Sequence, residues 1–108
     1  MNEAYTPEVS EILDVIGIAF AKARQKHAPM HSPHEGYAII KEEFDELWEE
    51  IRRWQPKPPD FDQAGEEFSI TSPIPAEHRA YAANMVAMRK EALHVAAMAL
   101  AFLVEVVP

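Results

Sequence analysis

The chain has 108 residues, a formal net charge of -8 and no cysteine. That length suits one small domain over residues 1–108, able to bury about two thirds of its unfolded surface. No basic cluster exceeds Arg52-Arg53 or Arg89-Lys90, which excludes sequence-independent binding to a nucleic-acid backbone, and the missing cysteines exclude disulfides, thiolate metal sites and cysteine nucleophiles.

The first residues, MNEAYTPEVSEILD, carry acids rather than a basic leader, so no signal peptide is expected and the cytoplasm is the default location. Thr6-Pro7-Glu8 reads as a helix start, with threonine as N-cap, proline in the first turn and an acid behind it. Val9, Ile12, Leu13, Ile16, Phe20 and Ala23 recur at steps of three and four, giving one apolar stripe that runs to about Lys26.

The connector HAPMHSPH follows, broken by Pro29. Ser32-Pro33-His34-Glu35 has the form of a capping box that opens a second helix. Its apolar seam is Tyr37, Ile40, Phe44, Leu47, Ile51 and Trp54, suited to packing on other helices. Beyond Trp54 the stretch from about 55 to 75 holds five prolines and no period, so a long irregular loop is expected there. A last helix starts near Pro75-Ala76-Glu77, with a break expected around Asn84, and reaches about Val106. From Met85 onward it is apolar nearly all round, which calls for cover from another subunit. Its most apolar part, Ala92 to Val107, contains His94 and Glu105 and is too short to span a membrane comfortably.

Six of the nine residues from Glu42 to Glu50 are acids. On a helical wheel Glu42, Asp45 and Glu49 fall opposite the apolar seam, as solvated carboxylates do. Glu43, Glu46 and Glu50 fall together on one flank, roughly 80° to 140° from the seam's centre. Like charges at these spacings repel by a few tenths of a kcal/mol per pair. A hard divalent cation would relieve them, while a solvated acidic surface is the plainer alternative. The last helix adds Glu91 and His94, one turn apart on one face, with Asn84 and Met98 in line with them. Buried charge needs a partner or a metal.

Glu42-Glu43-Phe44-Asp45-Glu46 matches an EExxE pattern, and Glu91-Ala92-Leu93-His94 stands where an ExxD pattern follows. In these two motifs, and over the second and last helices that carry them, a little under half its length, the chain resembles the MazG-like all-α nucleotide pyrophosphohydrolases. The resemblance implies an all-α helical bundle completed by oligomerisation, as a homodimer or homotetramer, with Mg²⁺ held by carboxylates. It implies hydrolysis of a nucleoside triphosphate to the monophosphate and pyrophosphate. Carried over, Glu43, Glu46 and Glu91 are metal ligands with His94 in the fourth place, and Glu42 is a further ligand or the base that orients water beside Glu43. The sequence departs from the family at His94, where an aspartate is expected. Mg²⁺ favours a nitrogen ligand less than an oxygen one, which shifts preference toward Mn²⁺ or weakens catalysis and leaves a nucleotide-binding or protein-interaction module as the alternative.

For substrate contact the candidates are His34, at a helix N-terminus where free amides favour phosphate, Asn84, Arg89 and Lys90. Lys22, Arg24, Lys26 and Arg79 could reach phosphate too, and Phe61 and Phe68 could stack on a base. Trp48 and Trp54 fit a core or a subunit interface better. His27, His31 and His34 are a weak zinc set, since Pro29 and Pro33 keep them off one helix.

Overall fold

The computed structural model describes residues 5–63 and 74–108. Among them the architecture is all-helical: α1 (Pro7–Lys26), α2 (Pro33–Arg52), a 3₁₀ turn (Phe61–Gln63) and α3 (Ala76–Glu105). No strand occurs among the described residues. No described helix is long and apolar enough to cross a membrane.

The helix starts follow from local chemistry. Thr6 Oγ1 accepts a hydrogen bond from Val9 N at 3.3 Å, and Ser32 Oγ accepts one from Glu35 N at 3.1 Å. Each satisfies an amide that the first turn would leave free. The Glu35 carboxylate turns to His31, Oε2 lying 3.4 Å from Nδ1, instead of returning to the Ser32 amide as the full capping box would have it.

Helix α3 is continuous through Asn84, contrary to the expected break. Asn84 is buried, and its side-chain Nδ2 donates to the Glu50 carbonyl at 3.0 Å. That carbonyl lies in the last turn of α2 and also accepts from Arg53 N at 3.2 Å, so Asn84 occupies its second lone pair. Tertiary bonding thus offsets the modest helix propensity of asparagine.

Both α1 and α2 pack on α3. Helix α2 runs antiparallel to it: Gly36 lies under the Phe102 ring, Glu43 meets His94 and Glu50 meets Asn84. The face of α2 that meets α3 therefore follows Gly36, Ile40, Glu43, Leu47 and Glu50. This corrects the expected seam. Of its six residues, Ile40 and Leu47 are partly covered, while Tyr37, Phe44, Ile51 and Trp54 stand exposed in the single chain.

The C-terminal ends of α1 and α3 are joined by an Arg24–Glu105 ion pair. The second Glu105 oxygen accepts from Met30 N at 2.9 Å, and Arg24 also donates to the His27 carbonyl at 3.3 Å. This clamp fixes the connector over the ends of both helices. Past α2, Phe61 of the 3₁₀ turn packs edge-on against Tyr81, with ring centroids 4.8 Å apart, and docks the turn on α3.

The single chain closes very little core. Met30, Ala97 and Ala101 are the buried apolar residues among those described. The radius of gyration is 17.8 Å, against about 13 Å for a compact domain of this length.

Candidate metal centre

Because α2 and α3 are antiparallel and in register at Glu43 and His94, the two acidic motifs face one another. Glu43, Glu46, Glu91 and His94 each bring one ligating atom into a group whose members all lie within 4.8 Å of one another. His94 Nδ1 is 3.7 Å from Glu43 Oε2 and 3.6 Å from Glu91 Oε2. Both oxygens are buried and accept no hydrogen bond. Buried carboxylate oxygens normally have partners, so these two are short of positive charge or donors.

Burial raises the Glu43 carboxyl above its ordinary pKa, and the neighbouring Glu46 and Glu91 push in the same direction while His94 opposes them. Buried like charges within a few ångströms produce this shift. Glu42 and Asp45 are exposed, as the wheel predicts, although Glu42 still reaches the wall of the adjoining groove. Glu50 is partly covered and pairs with Arg53 at 3.1 Å instead of joining the cluster.

The cluster borders a cavity of about 800 Å³. Its walls come from α1, including Ile18, Lys22 and Lys26, and from α2, including Glu35, Ile39 and Glu42. Its floor is the α3 face from His94 through Ala97, Met98 and Ala101 to Glu105. The alanines bring that floor close to the helix axis, a small-residue signal that sequence reading missed.

Other candidates are placed elsewhere. His34, Arg89 and Lys90 are exposed and do not line the groove. Asn84 lies with Arg53 and Gln55 at a separate small hollow of about 300 Å³, its amide already engaged by α2. His27 lines the groove, His31 faces Glu35, and no three-histidine metal group forms among the described residues. Trp48 and Trp54 are 56% and 58% exposed. Phe68 lies outside the described residues.

Compared with known proteins, the chain matches no family model, no curated protein and no solved structure.

Proposed function

We propose that the chain is a divalent-metal-dependent nucleoside triphosphate pyrophosphohydrolase, similar in motif and chemistry to the MazG-like enzymes. The observation that carries this reading is the convergence of Glu43, Glu46, Glu91 and His94 within 4.8 Å beside a groove large enough for a nucleotide. The residues fit such an ion. Three carboxylates and an imidazole are oxygen and nitrogen donors of the kind a divalent cation takes, and the two buried oxygens without donors would gain a partner from it.

Glu43, Glu46 and Glu91 would hold Mg²⁺, with His94 favouring Mn²⁺ as the fourth ligand. When bound, the ion neutralises phosphate oxygens and lowers the pKa of water beside it. Glu42, next in chain to Glu43 and facing the groove, orients the attacking water and takes its proton. Water adds to the α-phosphorus as the bond to the bridging oxygen breaks, and the nucleoside monophosphate and pyrophosphate leave. The floor of Ala97, Met98 and Ala101 offers an apolar bed for the nucleoside.

A homodimer or homotetramer belongs to the same proposal. Tyr37, Phe44, Trp48 and Ile51 form an exposed apolar and aromatic stripe on α2, with Trp54 exposed just past its end, of the kind that marks a protein interface, and the thin core of the single chain points the same way.

His94 also favours a second reading, a nucleotide-binding or protein-interaction module. In its protonated form it could itself balance Glu43 and Glu91 at 3.6 to 3.7 Å. Pyrophosphate release from a panel of nucleoside triphosphates, with Mg²⁺ and with Mn²⁺, decides between the two. Metal-dependent turnover that is lost in Glu43→Gln supports the hydrolase. No turnover with any nucleotide or ion leaves the binding module.

A further inference from the structure

The cations of the described chain sort into two kinds. Lys41, Arg52, Arg53 and Lys57 are each paired with an acid close in sequence, Arg24 is committed to Glu105, and Arg79 donates to the Ile74 carbonyl. Lys22, Lys26, Arg89 and Lys90 form no ion pair among the described residues. Of these four, only Lys22 and Lys26 line the groove.

Lys22 and Lys26 stand four residues apart, so their ammonium groups share one face of α1, a like-charge pair that costs an isolated helix a few tenths of a kcal/mol. His27 follows on the same wall, whereas the α2 wall opposite carries Glu35, Glu42 and Glu43. The groove is thus cationic along α1 and anionic along α2. From His94 to Glu105 its floor rises through eleven residue steps, about 16 Å at 1.5 Å per step. That is long enough to lay a nucleoside triphosphate between the acid cluster and the lysines.

We propose that Lys22 and Lys26 form the polyphosphate-binding wall of the groove, gripping phosphate oxygens from the side opposite the carboxylates. This rests on the nucleotide reading above and names the cations that serve it, in place of Arg89 and Lys90. A flexible ammonium is suited to the task as a mobile point charge.

The test uses inorganic pyrophosphate as the probe, titrated calorimetrically into the native chain, Lys22→Gln/Lys26→Gln and Arg89→Gln/Lys90→Gln, each with Mn²⁺ present. Helical circular dichroism and Tm establish that all three are folded. The expected result is a loss of pyrophosphate affinity of tenfold or more in the α1 variant, a change of less than twofold in the α3 variant, and unaltered Mn²⁺ affinity in both. Equal affinity in the native chain and the α1 variant, or no pyrophosphate binding by the native chain, overturns the proposal. If the α1 variant loses pyrophosphate while the native chain hydrolyses no nucleotide, the anion wall stands and the hydrolase reading falls. If turnover occurs with KM unchanged in the α1 variant, the hydrolase reading stands and the lysine wall falls.

Discussion

His94 Nδ1 lies 3.7 Å from Glu43 Oε2, so the second and third helices meet, at the level of the acid cluster, through an imidazole and a carboxylate rather than through apolar packing. The imidazole occupies the place where an oxygen ligand would suit Mg²⁺ better. If the proposed hydrolase reading holds, His94→Asp is expected to raise Mg²⁺-supported pyrophosphate release and to narrow any advantage of Mn²⁺ over Mg²⁺. Steady-state rates with both ions check this. A lower rate with each ion would mean that His94 contributes something an aspartate cannot.

The raised Glu43 pKa gives the metal-free protein a defined pH response. A carboxyl whose folded pKa exceeds its unfolded value binds more protons in the native state, so it favours folding at low pH. That contribution is complete below the ordinary value of 4.5 and is lost as pH rises through the folded pKa. In chelator-treated protein, Tm should fall across this window in the native chain and fall less in Glu43→Gln. The two should converge at the acid end, and added Mn²⁺ should restore the native chain alone at neutral pH. Scanning calorimetry at a series of pH values supplies the comparison, and a native Tm that rises through the window would be inconsistent with a partly covered, mutually repelling cluster.

Two helical glycines should respond to alanine in opposite directions. A Cβ at Gly17 meets nothing within 4 Å, whereas one at Gly36 comes within 2.5 Å of the Phe102 ring and 3.2 Å of Met30 Sδ. Gly17→Ala should stabilise by about 0.5–1 kcal/mol through helix propensity. Gly36→Ala should destabilise by about 1–2 kcal/mol, because overpacking outweighs the same propensity gain. Urea midpoints of the two variants, taken at equal protein concentration, read the difference.

The exposed stripe on α2 predicts an oligomer. Phe44 and Trp48 are 53% and 56% exposed in the single chain, too much aromatic surface in one line to be left in water without consequence. Sedimentation equilibrium should show a dimer or tetramer for the native chain, and Phe44→Glu/Trp48→Glu should sediment as a smaller species with a lower Tm. A native monomer at micromolar concentration would remove the interface from the account.

Much of this arrangement was legible in the residues. The starts of α1 and α2 are written in Thr6-Pro7 and Ser32-Pro33, since caps depend on neighbours within one turn. The division of Glu43 and Glu46 from Asp45 and Glu49 follows from helical period alone. The packed face of α2 was only half legible, because of the six residues in the strongest apolar pattern Ile40 and Leu47 face α3 while Tyr37, Phe44, Ile51 and Trp54 stand exposed. The approach of α3 is instead permitted by the missing side chain at Gly36, which a hydrophobicity pattern does not weigh. The expected break at Asn84 failed for a similar reason: its partner, the Glu50 carbonyl, is 34 residues away. Nor could the sequence divide Lys22 and Lys26 from Arg89 and Lys90, since only the packing of α1 on α3 turns one pair into the groove.

Whether the four converging side chains hold a divalent ion is decided by a Mn²⁺ titration followed by electron paramagnetic resonance. The native chain should deplete the free Mn²⁺ signal with a defined stoichiometry, and Glu43→Gln and Glu91→Gln should each weaken binding by about tenfold or more while remaining folded. No depletion by the native chain, or undiminished binding in both variants, would contradict a metal centre there.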